Sequence, residues 1–523
     1  MSGSGSAQGL GAKQAHEPWY RHRPPPWPAP DNPYAPEGYG PPPPRPRRRR
    51  WPVAAAALAL LLLAGAGVCA IGERSGSDRA GSDSAATKSP APPTTAPPTP
   101  SARPTPTPSR IPTTQEIAQR RKSGEASAWI VDDRTDLPRR QIPTQDLWIV
   151  GDTVVQAIYK KVVAHRLSDG AELWSVALPT PVCETPVNPT PDGKVVIVLQ
   201  NFEAWSGVRC NQLRMIDLRT GKAGWHKQLT ETGSGNDDTI IVDSAISGGT
   251  VAIVQSMKAA AYRVADGKKL YDIPMENPGK CYPGRVAGGS RLLVVADCAI
   301  TALEKAYDQI REIDPATGKV RWRYRTEPGR RIGQVLSVAP AVITTAHRET
   351  HAEDWRVVAL GPDGRARRTI DPRPQGFKHC GDSMDTSANA QACREAVVGA
   401  GLVILGGDDR VGAYDLTTGK LVWGVKAGGT AHGYFPLRVG PGRTGLVYRL
   451  GTYSEAGRVF SVGPGSMDSV KDVLRLPVST ARAEFGMGVV GENAYVGNRL
   501  VIAPANLSGD DTQHEPRMLS FAP

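Results

Sequence analysis

Three kinds of residue pattern in this chain could do chemistry. Three copies of D-x-x-T-G-K-x-x-W stand at Asp217–Trp225, Asp314–Trp322 and Asp415–Trp423. Each holds a Gly-Lys pair after small polar residues, which suggests a phosphate-binding loop. Such a loop needs a second Gly five residues before the Gly of the pair, and Ser or Thr after the Lys. Those positions hold Ile216, Ile313 and Tyr414 before, and Ala223, Val320 and Leu421 after. The phosphate chemistry fails, and a tight turn remains. "HRETH" (His347–His351) has two His at metalloprotease spacing, but Arg348 stands where the general-base Glu belongs. "GNDD" (Gly235–Asp238) and "GGDD" (Gly406–Asp409) lack the alternating Asp pattern of a calcium loop and use the residues that turns favour. No G-x-S-x-G is present. No catalytic, cofactor-binding or metal-binding residue is assigned from the sequence.

The cysteines point to compartment. Six of the seven follow residue 180: Cys183, Cys210, Cys281, Cys298, Cys380 and Cys393. An even number suits disulfides in an oxidising compartment. Pairing of sequence neighbours is expected, 183–210, 281–298 and 380–393, with free buried thiols the alternative. No C-x-x-C is present, which argues against structural zinc.

What must carry these residues across a membrane precedes them. "VAAAALALLLLAGAGVCAI" (Val53–Ile71) is 19 residues without a charge, long enough for a hydrocarbon core of about 30 Å. "RPRRRR" (Arg45–Arg50) precedes it. Basic residues stay on the cytoplasmic side, so the N-terminus is expected inside and the long C-terminal part outside. Residues 1–50 form a Pro-rich, disordered cytoplasmic tail, residues 51–72 the transmembrane helix and uncleaved signal anchor, and residues 73–122 a Ser/Pro/Thr-rich linker. Ten prolines between Pro90 and Pro112 make the linker a semi-rigid spacer. The expected location is the plasma membrane, single-pass, with the folded domain on the extracytoplasmic side.

Charge excludes one class of partner. The chain carries +12. Residues 1–50 hold eight Lys/Arg against three Asp/Glu, and residues 73–125 hold eight against five, which leaves +4 for the rest. A nucleic-acid-binding domain concentrates basic charge on its folded body; no nucleic-acid partner is expected.

Residues 123–523 read as all-β. Short Val/Ile/Leu runs alternate with Gly/Asp/Asn/Pro turns. The D-x-x-T-G-K hairpin has degenerate relatives starting at Val162, Ala260, Arg356 and Gly457. Closing aromatics recur at Trp174, Trp225, Tyr271, Trp322 and Trp423, spaced 51, 46, 51 and 101 residues, the last being two periods. A period of about 40–50 residues with several strands per unit is that of a β-propeller. Seven units run from Leu147 to about Leu476, and Gly486–Phe521 supplies about three more strands. "SAWIVDD" (Ser127–Asp133) supplies the missing one and closes the ring. Eight blades are expected, with seven the alternative.

The D-x-x-T-G-K-x-x-W copies resemble the repeat of the PQQ-like (quinoprotein dehydrogenase-like) β-propellers. The resemblance implies that the closing aromatics dock between adjacent blades. It also brings an enzymatic alternative, a PQQ-dependent dehydrogenase with a quinone stacked between a Trp and a disulfide of adjacent cysteines. This chain has no Cys-Cys dipeptide. It looks more similar to non-catalytic members, such as the outer-membrane assembly lipoprotein and sensor-kinase propellers. The expectation is therefore a membrane-anchored, non-catalytic binding or scaffold module for a protein or cell-envelope ligand, without a cofactor.

Overall fold

The computed structural model describes residues 110–523, except positions 135, 204–206, 234, 236, 278–279, 300–304, 349–350, 378, 380–388, 427–432, 466–469, 489–490 and 511–515. The apolar run 53–71, the Pro-rich tail and most of the linker lie outside the described residues. Among the described residues, no helix is long and apolar enough to cross a membrane.

Eight antiparallel sheets form the ring. Blades 1 to 7 span residues 142–177, 182–228, 242–273, 282–325, 330–370, 396–426 and 434–475, each laid out in chain order. Blade 8 takes three strands from the end of the chain, Glu492–Val496, Arg499–Ala503 and Met518–Ala522. Its fourth is the first strand of the chain, Ser127–Val131, which pairs with Met518–Ala522. A second seam adds to this closure: Asn506–Leu507 pairs with the start of blade 1, Leu507 opposite Ile142. The expected eight blades and the closing role of "SAWIVDD" are both observed.

Burial along each blade follows from packing geometry. Sheets in a ring are covered on both faces, so middle strands read as unbroken apolar runs. Thr153–Ile158 is buried at all six positions, and the five residues after Lys194 in Lys194–Leu199 are buried. The fourth strand lies at the rim and alternates, as Glu172–Ala177 does. First strands of neighbouring blades pack on one another around the axis, as in blades 3 and 4, blades 6 and 7, and blades 8 and 1. Clusters such as Trp148, Val162, Ile197 and Val251 are built across neighbouring blades, so a blade cannot bury its faces alone.

The folded unit begins earlier than residue 123. A helix, Thr114–Arg120, lies inside the expected linker and opens on a capping box between Thr113 and Glu116. Its Ile117 is fully buried, and Thr114 Oγ1 accepts from the Ile130 N–H at 3.1 Å.

Candidate functional site

The repeat turns come first, because the sequence singled them out. In each, the Asp carboxylate accepts backbone N–H groups. Asp415 Oδ1 takes those of Thr417 (2.9 Å) and Thr418 (2.7 Å). Asp314 Oδ1 takes those of Ala316 and Thr317, both at 3.0 Å. The Thr418 N–H, with the Arg443 guanidinium, holds Asp415 down to about 2, and the Arg321 guanidinium beside Asp314 does the same there. The Gly closes the turn: Gly221, Gly318 and Gly419 N–H donate to the carbonyls of Asp217, Asp314 and Asp415, each at 2.8 Å.

These glycines serve a second purpose. Gly221 has φ +71°, and a Cβ there would stand 2.6 Å from the Trp174 ring of the preceding blade. Gly267 meets Trp225 at 2.7 Å, Gly318 meets Tyr271 at 2.6 Å and Gly364 meets Trp322 at 2.5 Å in the same way. Trp225 Nε1 donates to Val264 O at 2.8 Å and the Tyr271 hydroxyl to Pro315 O at 2.9 Å. Trp423 docks on blade 7 by another route, donating to Arg443 O at 3.0 Å and lying over Gly445. At the Gly419 turn no aromatic arrives; the Arg368 side chain does, with Nε donating to Thr417 O at 3.0 Å. The sequence missed one docking aromatic. Trp129, on the closing strand, lies over Gly170 of blade 1 and donates to Leu167 O at 2.9 Å. The only signal was its place inside "SAWIVDD".

These turns all lie on one face. In a blade laid out in chain order, first–second and third–fourth connections share one end of the sheet. Second–third connections and blade-to-blade connections share the other. The first end, the turn face, is built largely of tight turns. The second, the loop face, carries long segments: 200–211, 229–241, 371–395, 476–491 and 504–517. The disulfides Cys183–Cys210 and Cys281–Cys298 brace this loop face. Cys393 is also disulfide-bonded; Cys380, its expected partner, lies outside the described residues. Phe202, Ile240, Ile241, Met275, Tyr453 and Val478 are exposed on the loop face, Ile241 at 65% and Tyr453 at 67%.

The same face holds buried ionisable groups that no motif announced. Asp243, on the first strand of blade 3, accepts from the Val286 N–H of blade 4 at 2.7 Å. Burial pushes it up to about 7, against the pull of that N–H and of Arg285. Burial, with Asp243 and Asp146 nearby, drives Glu184 of blade 2 well above the carboxylate range. Asp308 of blade 4 accepts from Ile332 N–H of blade 5 at 2.7 Å. Burial and Asp297 raise it to about 7. The Arg348 guanidinium meets Asp308. Arg348 is the residue that spoils "HRETH"; His347 ends one strand, opposite His351 at the start of the next. Asp237 of "GNDD" accepts from Thr232 N–H at 3.0 Å, and Asp409 of "GGDD" pairs with Arg410 at 2.6 Å. Among the described residues, no group of three His, Cys, Asp or Glu is placed to hold a metal.

The quinone arrangement implied by the resemblance does not fit these residues. The two described disulfides join positions 27 and 17 apart, not neighbours. Ala390, from the connection between blades 5 and 6, is fully buried against the first strand of blade 5, where its carbonyl accepts from Val335 N–H at 2.7 Å.

Residues 128–280 match the family model described as outer membrane protein assembly factor BamB. No curated protein matches the chain. Among solved structures, the crystal structure of BamB from Moraxella catarrhalis is similar at a TM-score of 0.43 and 15% identity, covering 73% of this chain and 96% of that one. The quinohemoprotein alcohol dehydrogenase from Comamonas testosteroni is similar at 0.45 and 13%, covering 76% of each. At these identities the likeness is one of fold.

Proposed function

We propose, for a chain that is an eight-bladed propeller of PQQ-like repeats, that it serves as a non-catalytic binding or scaffold module, held to the membrane by residues 53–71 and presenting its loop face to a protein or cell-envelope ligand. The observation that carries this is the inequality of the two faces. The turn face is spent on blade-to-blade docking. The loop face carries the long connections, the disulfides that brace them, and exposed Phe202, Ile240 and Ile241. Binding residues concentrate on loops held by a rigid scaffold. The connections bearing Phe202 and Ile240 lie side by side, joined by Cys210 N–H to Thr239 O at 2.8 Å.

In-cell crosslinking of the ectodomain tests the reading. A partner captured by the native protein and lost in Ile240→Asp/Ile241→Asp supports it. Capture unchanged in that variant moves the site off this part of the loop face. If the purified ectodomain, given PQQ and calcium, develops a quinone spectrum and oxidises alcohols or sugars, the non-catalytic reading is wrong. Protease treatment of intact cells tests the anchor: loss of the tail with survival of the propeller would invert the topology.

A further inference from the structure

The segment Asn389–Glu395 touches most of the ring within seven residues. Its first anchor is on blade 5, where the Ala390 carbonyl accepts the Val335 N–H at 2.7 Å. The Ala390 N–H is one of the donors to Asp243 on blade 3. The second anchor is the Gln391 carboxamide. Its Oε1 accepts from Gly288 N–H at 2.6 Å and its Nε2 donates to Gly288 O at 3.2 Å, on blade 4. This two-bond pair reproduces what a neighbouring strand would offer. Asn389 Oδ1 accepts the Gln391 N–H at 2.8 Å and sets the local turn.

Gly288 is itself a meeting point. Asn188 Nδ2 reaches its carbonyl from blade 2 at 3.3 Å, and the next residue, Gly289, donates to Ile246 O of blade 3 at 2.8 Å. A Cβ on Gly288 would stand 2.2 Å from that same Ile246 carbonyl, so only glycine fits.

The third anchor is on the far side. Arg394 donates to Gly488 O at 3.1 Å and Gly491 O at 2.5 Å, just before the first strand of blade 8. Gly488 ends the helix Ala481–Gly488, whose free C-terminal carbonyls attract a cation. The guanidinium also stands 4.5 Å over the Phe435 ring of blade 7. Blades 4 and 8 are opposite each other in a ring of eight.

We propose that Asn389–Glu395 is a strap that enters the propeller axis from the loop face and reaches the turn-face end at Gly288, filling the channel, so that a ligand entering the channel must first displace it. Apart from Ala390, which is buried in the core between blades 4 and 5, the strap is held by directional bonds to several blades, so it can leave without dismantling any one sheet. The Glu184 carboxylate and the Ser244 hydroxyl, beside Asp243, are buried against each other. Departure of the strap would give these groups water and room for a polar ligand. The strap stands whether or not the exposed loop-face residues bind a partner.

Hydrogen exchange on the full chain, native against Gln391→Ala/Arg394→Ala, reads this directly. Exchange in the peptides holding Gly288 and Val335 is expected to rise at least about tenfold, because their N–H groups lose the acceptors Gln391 Oε1 and Ala390 O. The rim strand 223–228 is expected to keep its native rate. Unchanged exchange at Gly288 and Val335 overturns the strap. An equal rise in all blades also overturns it, since the segment would then be an ordinary part of the core. Should the double variant not fold, Gln391→Glu is measured the same way: its carboxylate cannot donate to Gly288 O and keeps the side-chain size. Local opening there supports the strap, and native exchange refutes it.

Discussion

The Trp129 indole covers Gly170, and a Cβ on that glycine would stand 2.7 Å from the ring. Trp129 is on the first strand of the chain, and Gly170 is on the first repeat turn. This contact fastens blade 8 to blade 1 at the rim, so the ring is closed by side-chain docking as well as by strand pairing.

Trp129→Ala is expected to cost about 3–5 kcal/mol, the range for a large aromatic removed from a packed site. Trp129→Phe should lose less than half of that, since a flat aromatic ring stays while the rest of the indole and its bond to Leu167 O are lost. Denaturant unfolding of the three proteins checks this. A loss below about 1 kcal/mol for the alanine variant would mean that strand pairing alone closes the ring.

Alanine at the turn glycines should separate two costs. At Gly419, with φ +73°, the neighbour is the flexible Arg368 side chain. Gly419→Ala therefore meets mainly the left-handed backbone penalty, about 1–2 kcal/mol. At Gly221 the same penalty is joined by a clash with the rigid Trp174 ring, and overpacking adds about 1–3 kcal/mol. Equal losses at the two sites would show that the indole shifts freely.

The buried acids make stability depend on pH near neutrality. Asp243 and Asp308 are raised to about 7, from an ordinary value of 3.8. Between those values the folded chain binds more protons than the unfolded one, so stability falls as pH rises. Their contribution is fully present below about pH 4 and is lost as pH passes through about 7. Asp243→Asn should flatten that part of the profile, whatever it does to absolute stability. A slope between pH 5 and 7.5 unchanged in Asp243→Asn would mean that Asp243 is ionised throughout.

Cys183–Cys210 closes a loop of 27 residues. Replacing both with Ala is expected to lower stability by about 2–4 kcal/mol, through greater freedom of the unfolded chain. Trp174 and Trp225 dock on the opposite face, so their near-ultraviolet signals should stay native below the transition. Loss of those signals under native conditions would show that the disulfide holds the blades rather than the loops.

The sequence by itself determined the repeat. D-x-x-T-G-K-x-x-W demands a carboxylate-capped turn, a glycine with positive φ and a flat apolar side chain, and these needs are local. Its period determined a propeller, and the count of strands, with "SAWIVDD" left over, favoured eight blades over seven. Local spacing also placed the disulfides Cys183–Cys210 and Cys281–Cys298. What lies between distant residues was not legible. Asp243 and Glu184 are isolated acids, Asp308 shares its strand with Arg311 and Glu312, and nothing local says that Val286 N–H or Arg348 will meet them. Gln391 is one glutamine in a long connection, and its partner Gly288 stands 103 positions away. A ring brings the first strands of all blades to one axis, so residues there become neighbours by closure rather than by proximity in the chain. Only the tertiary structure decided what fills that axis and which face stays open.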